Sequence, residues 1–398
     1  MGSVREVRKG IFELRSEHGY DAMGNRKRKF KTVEAKNKTE AKKLLAAFET
    51  ELDSEGYVEA NKDMTFKQFV EKWKSEFGQT DLDPNTYDNY CTQLNCSILP
   101  YFKKKKIKDI RTLHLVEYFN HEKREGTGQY ALERRHRVIR SLFGKAAEWE
   151  IIAKDPSLAV KKPTVKRREK DIYDEREIDL LLNKLKTLPI NHQLMIKLAL
   201  FGGLRRGEVL GIDLDKDINF VKNKNEETGE LEFESGTINI RHSLQRTKTA
   251  GLRLKGVKND QERLVTFPSE LMKELWGYRK ERWQERNKEG KNWIGFKDEK
   301  EKNHFLLFGH TDGKPYSPDT VSQMWERVVD KLGVKKISFH DLRHSSATYL
   351  LSQGIDMKTI QKRLGHQNIT TTLNLYSHVT ETMSEKPVAV FEKIIEKQ

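Results

Sequence analysis

The sequence predicts a multidomain α+β protein: a small β-sheet with a helix, then an all-α body, then a larger mixed α/β body. Three observations predict it. The apolar positions change along the chain from alternation to helical spacing and then to a mixture of both. A basic, proline-containing stretch without apolar periodicity, 161–170, interrupts the pattern. The length, 398 residues, exceeds what a single hydrophobic core usually serves.

The first segment, 1–60, opens with alternating runs at Gly10 to Glu17 and Lys27 to Val33, which read as strands. The turn formers Asp21-Ala22-Met23-Gly24-Asn25 separate them. Thr39 is then placed to cap a helix whose apolar residues Ala41, Leu44, Leu45, Phe48 and Leu52 recur at helical spacing. The second segment, 64–160, reads as wholly helical. Phe66, Phe69, Val70, Trp73 and Phe77 share one face, and Tyr87, Tyr90, Leu94 and Ile98 share another. Its last strong helix, Tyr130 to Glu150, turns Ile139, Leu142, Phe143 and Ala146 inward and leaves Arg134, Arg135, Arg137 and Arg140 as a basic surface. The third segment, 171–398, mixes helices with β-rich runs at Thr237 to Ser243 and Arg263 to Phe267.

The formal charge of +15 points to a polyanionic partner, because an excess of Lys and Arg attracts phosphates at long range. Nucleic acid is the first candidate; ribosomal factors and membrane-surface proteins share such a charge. Between Arg5 and Lys43, 13 Lys or Arg face 6 Asp or Glu, concentrated in Arg26, Lys27, Arg28, Lys29 and Lys31. Such a run suits a solvated hairpin as well as one that touches DNA. Arginines in successive helical turns, as at Arg134 to Arg140, suit phosphate gripping, because the planar guanidinium binds two oxygens at once. The basic stretch 161–170 would then lie along a DNA backbone while the bodies on either side grip the duplex. The two cysteines, Cys91 and Cys96, have no second pair or histidine cluster to complete a metal site and are expected to be reduced. Met1 to Lys9 holds charges rather than an apolar core, and no stretch is long and apolar enough to span a bilayer, so a cytosolic protein without membrane partners is expected.

Four patterns in the third segment carry residue types suited to a phosphate. Gly202-Gly203-Leu204-Arg205-Arg206-Gly207-Glu208 places an arginine after a glycine-permitted turn, with Glu208 one helical turn on to hold its guanidinium. His340-Asp341-Leu342-Arg343-His344 sets His340 and Arg343 three apart, on one helical face. Leu364-Gly365-His366 follows a helical run, Asp356 to Arg363, and Thr370 to His378 contains Tyr376. Taken singly, the arginine pair reads as an exposed helix start, the histidines as structural and the tyrosine as core. Their occurrence together and in order is what carries the chemistry.

Together these segments resemble the tyrosine recombinases, the integrase family of phages and mobile elements. The family's pattern of Arg, Lys, His-x-x-Arg, His or Trp, and Tyr is met by Arg205, a lysine before Arg263, His340 with Arg343, His366, and Tyr376. In the family the lysine lies on a β-hairpin shortly before an Arg-x-apolar strand, here Arg263-Leu264-Val265. Lys258 fits that spacing, with Lys255 as the alternative. The likeness covers nearly the whole chain. Segment 1–60 looks like an arm-type DNA-binding domain, 64–160 like the helical, SAM-like core-binding domain, and 171–398 like the catalytic domain with a C-terminal tail. The match is weakest in the helical segment. One departure is an acidic insertion near Asn223 to Glu234, expected to lengthen a surface hairpin.

The resemblance implies an enzyme in which Tyr376 attacks the scissile phosphodiester, forms a 3'-phosphotyrosine and frees a 5'-hydroxyl, conserving the bond energy covalently. Arg205 and Arg343 would neutralise the nonbridging oxygens, where charge builds in the transition state. Lys258 would protonate the leaving 5'-oxygen. His340 would accept the tyrosine proton or hold an oxygen, and His366 would donate to one. No metal or other cofactor is expected. The partners implied are double-stranded DNA with core-type and arm-type sites, a homotetramer, since two duplexes present four strands to one tyrosine each, and an excisionase or other directionality factor. Beyond Pro387, the stripe Val388, Phe391, Ile394 and Ile395 is expected to dock on a neighbouring subunit rather than on its own domain. Two rival readings are a type IB topoisomerase or telomere resolvase, which shares the tyrosine chemistry, and a DNA-binding regulator that keeps the fold without catalysis.

Overall fold

The computed structural model describes residues 3–20, 26–54, 64–165, 171–226, 228–257 and 262–365. Lys258, His366, Tyr376 and the apolar positions after Pro387 lie outside them, as does the turn Asp21 to Asn25. The chain divides into two compact units, Met1–Arg167 and Arg168–Gln398.

The first unit begins with an antiparallel sheet, β1 (Ser3–Arg8), β2 (Ile11–Tyr20) and β3 (Arg26–Glu34), in that order. The alternating runs supply β2 and β3. β1, whose only apolar residues are Val4 and Val7, lacks the alternation that marks the other two strands. Phe12 and Leu14, two apart on one face of β2, are buried with Ala41, Leu45 and Phe48 of α1 (Lys38–Ser54). The cap of α1 differs from expectation. Thr39 is already helical, and Asn37 takes the role, its Oδ1 accepting the Glu40 N–H at 2.9 Å.

A second hydrophobic core in this unit is built by α2 (Phe66–Trp73), α3 (Gln79–Asp81), α4 (Pro84–Gln93), α5 (Leu99–Phe102), α6 (Thr112–Arg124) and α7 (Gln129–Glu148). A π turn over Lys74–Gly78 joins α2 to α3, and another over Leu94–Ile98 joins α4 to α5. Gly78 is needed where α4 crosses: a Cβ there would stand 2.9 Å from the Tyr87 ring. Thr65 caps α2 by accepting the Gln68 N–H, while Gln68 accepts the Thr65 N–H. Phe66, Phe69, Trp73, Leu94, Ile98 and Phe143 are wholly buried, on the faces their spacing predicts.

The second unit runs α8 (Glu175–Leu185), α9 (Ile190–Gly202), α10 (Arg206–Leu210), β4 (Ile218–Asn219), β5 (Lys222–Lys224), β6 (Leu231–Phe233), β7 (Gly236–Ile240), β8 (His242–Thr247), β9 (Gly251–Gly256), β10 (Arg263–Phe267) and α11 (Ser269–Glu289). It continues through β11 (Phe296–Lys297), β12 (Asn303–His304), α12 (Pro318–Leu332), α13 (Asp341–Ser352) and α14 (Met357–Leu364). An antiparallel sheet in the order β10-β7-β4 is joined by separate hairpins, β5-β6 and β8-β9. The acidic insertion is the β5-β6 hairpin, as expected. At the centre stands α9, apolar nearly all round because it packs against both α11 and α13. Among the described residues, no helix is long and apolar enough to cross a membrane.

Candidate active site

The site forms where α9 ends. Gly203 closes that helix in the left-handed region, φ +60°, and a Cβ on it would lie 2.3 Å from Leu364 Cδ2. Glycine is therefore required twice over, for the turn and for the approach of α14. The turn delivers Arg205 in extended backbone at the start of α10, with Glu208 in the first turn. Glu208 accepts the Arg205 N–H at 2.9 Å and its Nη1 at 2.6 Å. The carboxylate is 2% exposed, whereas the Arg205 side chain is 41% exposed. The predicted hold of Glu208 on Arg205 is thus present.

Two further arginines meet the same carboxylate. Arg263, at the start of β10, donates from Nη2 to Glu208 Oε2 at 2.6 Å and from Nη1 to Oε1 at 3.2 Å. Arg343, in the first turn of α13 and 1% exposed, brings Nη1 to 3.9 Å from Oε2. The last carbonyls of a helix have no partner within it. At the end of α14 these arginines fill that need one after another: Arg263 Nε donates to the Arg363 carbonyl at 2.9 Å, Arg343 Nη2 to Leu364 at 2.6 Å and Arg205 Nη2 to Gly365 at 3.5 Å. Arg343 Nη1 also donates to the Gly203 carbonyl at 2.6 Å.

Charge follows geometry. Burial pushes the Glu208 carboxyl up, but the hydrogen bond and charge of Arg263, then the charge of Arg205, overcome it and hold the group at about 2. Burial, and then repulsion from Arg205, lower Arg343 to about 9 while Glu208 opposes the fall. Three guanidiniums around one carboxylate leave the cluster with excess positive charge, and Arg205 faces solvent. A phosphate is the ligand such a site is short of.

The structure places the other predicted residues less uniformly. His340 is exposed immediately before α13, its ring centroid 5.0 Å from that of His344, while Arg343 is turned inward; the two share a turn but not an environment. Lys255 is half-buried within β9, opposite Ser243. Arg26, Lys27, Arg28, Lys29 and Lys31 all lie in β3, and Lys31 is exposed with its Nζ 5.2 Å from the Phe48 ring. On α7, Arg134 and Arg137 are exposed, and Arg140 stands 3.3 Å from Asp155. Arg135 corrects the expected basic surface. Only 13% of its side chain is exposed, because it pairs with Glu122, a carboxylate buried beside Ser97 and Thr127. The sequence reading used Arg263 only to mark a strand and missed its contacts. The available signal was its phase, since Arg263 alternates in step with buried Val265 and Phe267.

The phage integrase family model matches residues 172–383, and that for the phage integrase N-terminal SAM-like domain matches 65–122. The chain belongs to the phage integrase family, and it is a site-specific tyrosine recombinase. It is 24% identical over 383 residues to the ICEBs1 integrase of Bacillus subtilis, with 95% of each chain covered. A XerC-like tyrosine recombinase of Caldanaerobacter subterraneus is 27% identical over 326 residues, 80% of each chain. In fold, the chain is similar to the Tn1549 transposon integrase in complex with transposon right end DNA, with TM-score 0.64, 20% identity, and 82% of this chain and 100% of that one covered. It is also similar to the lambda integrase tetramer bound to a Holliday junction, with TM-score 0.53, 17% identity and 94% of each chain covered.

Proposed function

We propose that this recombinase integrates and excises a mobile element, cutting each strand with Tyr376 and rejoining it through a 3'-phosphotyrosine. The observation that carries the reading is the convergence of Arg205 and Arg343 on Glu208 at the end of α14, from which the chain runs through Gly365 to His366. Arg205 and Arg343 meet the two nonbridging oxygens, and losing either raises the barrier by on the order of 3 kcal/mol, as for a removed oxyanion donor. Lys258, five residues before Arg263 in the chain, protonates the leaving 5'-oxygen, with Lys255, whose backbone is paired in the β8-β9 ladder, as the alternative. His340 and His366 divide between them the tyrosine proton and a further hydrogen bond to a nonbridging oxygen. The resulting 5'-hydroxyl leaves, and that of a partner strand later attacks the phosphotyrosine.

The partner is double-stranded DNA in the cytosol of the cell that carries the element. The β1-β3 sheet with α1 takes arm-type sites through Arg26 to Lys31, the helical body takes core-type sites through Arg134, Arg137 and Arg140, and 171–398 is the catalytic domain. Support comes from the separate hydrophobic cores of the first unit and from relatives described as integrases of mobile elements. Four subunits assemble on two duplexes, the state in which the lambda integrase is described on a Holliday junction. A directionality factor biases the reaction toward excision. The test is covalent trapping: incubated with a nicked attachment site from the junction of its element, the wild-type chain forms a protein–DNA adduct that Tyr376→Phe does not. No adduct on the true site would leave a DNA-binding regulator as the reading.

A further inference from the structure

We propose that Arg263 is a positioning residue for strand cleavage: it fixes Glu208, and through Glu208 the guanidinium of Arg205, against the end of α14. The inference rests on the recombinase reading above.

Both oxygens of Glu208 are shared. Oε1 accepts from Arg205 Nη1 at 2.6 Å and from Arg263 Nη1 at 3.2 Å; Oε2 accepts from the Arg205 backbone N–H at 2.9 Å and from Arg263 Nη2 at 2.6 Å. The carboxylate is therefore clamped between two forks, one on each side. Arg263 is anchored at its other edge, where Nε donates to the Arg363 carbonyl. It also lies against Gly365, on which a Cβ would stand 3.1 Å from Nη1. All three guanidinium nitrogens of Arg263 are committed, to the Arg363 carbonyl and to both oxygens of Glu208, while the Arg205 side chain is 41% exposed and faces solvent. Its work is done on its neighbours.

Without Arg263, Glu208 would keep Arg205 at 2.6 Å and Arg343 at 3.9 Å, and would draw the exposed Arg205 inward, away from the position where a scissile phosphate must be met. The end of α14 would lose one of its three donors at the same time, three residues ahead of His366 in the chain. Lysine cannot replace this fork, since a single ammonium does not reach two carboxylate oxygens and a carbonyl in one plane. The chemistry predicts a defect tied to the charge on the substrate. A group that aims Arg205 matters when the phosphate is anionic and matters less when one nonbridging oxygen is replaced by methyl.

The experiment compares full-length wild type, Arg263→Lys and Arg263→Met in single-turnover cleavage of a suicide attachment site. The scissile linkage is either a phosphodiester or a methylphosphonate, and DNA affinity and thermal unfolding are measured in parallel. On the phosphodiester, Arg263→Lys is expected to lower the rate constant at saturating DNA about a hundredfold, the scale of a small misplacement at a reacting centre. On the methylphosphonate its deficit should shrink to less than about tenfold, because less charge needs to be met. If Arg263→Met melts below the assay temperature, Arg263→Lys alone carries the comparison. Equal deficits on the two substrates would assign Arg263 a purely structural role and overturn the proposal, as would an unimpaired variant. A wild-type chain that forms no adduct would instead overturn the recombinase reading.

Discussion

Replacing Glu208 with Gln removes the one negative charge beneath three guanidiniums while keeping the shape of the side chain. Glu208 is 2% exposed, 2.6 Å from both Arg205 Nη1 and Arg263 Nη2, and 3.9 Å from Arg343 Nη1. Burial works against its ionisation, and Arg263 and Arg205 reverse that, taking the carboxyl from an ordinary 4.5 to about 2. At about 1.4 kcal/mol for each tenfold in proton affinity, the ionised group stabilises the folded state by about 3 kcal/mol. The cost of removing one partner of a buried ion pair, about 3–5 kcal/mol, points to the same size. Glu208→Gln is therefore expected to lose about 3 kcal/mol at neutral pH. The folded-state value is depressed, so this contribution is complete above 4.5 and fades as pH falls toward 2; about 1.4 kcal/mol of it is gone by about pH 3.5. Urea unfolding of the full chain between those conditions, with hydrogen exchange in peptides spanning 203–211 and 357–365, reads the difference from wild type. A neutral-pH loss below about 1 kcal/mol, or a difference that does not narrow in acid, would refute the charge argument.

Arg135→Met, which strands Glu122 beside Ser97 and Thr127, should cost the helical body about 3 kcal/mol in chemical denaturation, and a loss under about 1 kcal/mol would show that Glu122 needs no cation. Arg134→Ala and Arg137→Ala, both at exposed positions, should leave stability within about 0.5 kcal/mol while each lowers the salt slope of core-site binding by about one; unchanged anisotropy titrations across salt would remove them from the DNA surface. Gly203→Ala should destabilise by about 2 kcal/mol or more, because its backbone is left-handed and the new Cβ would meet Leu364 Cδ2. Adding Leu364→Ala should recover part of that loss, so that simple additivity of the two substitutions would refute the steric account.

Much of this molecule was legible because its signals are local. The helices from Phe66 to Phe143 follow from apolar spacing, and the hold of Glu208 on Arg205 follows from two residues one turn apart. The errors have local causes too. Asn37 and Thr39 are both competent caps, and only the register of α1 decides between them. Ser3–Arg8 is a strand without the apolar alternation that announces one, made so by pairing with β2. Arg135 sits in a row of arginines that all look solvated; what turns it inward is Glu122, supplied by a different helix.

The part of the active site that sequence did not disclose is the part made by distant pairs. Arg263 reaches the Arg363 carbonyl across 100 residues, Arg343 reaches Gly203 across 140, and Arg205 reaches Gly365 across 160. No local pattern encodes such contacts. Leu264 misleads further, since an apolar residue exposed to 68% makes the opposite face of β10 look like the buried one. What unites these contacts is a physical requirement. Guanidiniums packed close enough to bind one phosphate repel each other in its absence, and must be held by something other than substrate. Glu208 supplies the charge for that, and the carbonyls at the end of α14, which would otherwise lack partners, supply the directions. The helix end and the arginines each satisfy what the other lacks, so the cluster is held together without substrate.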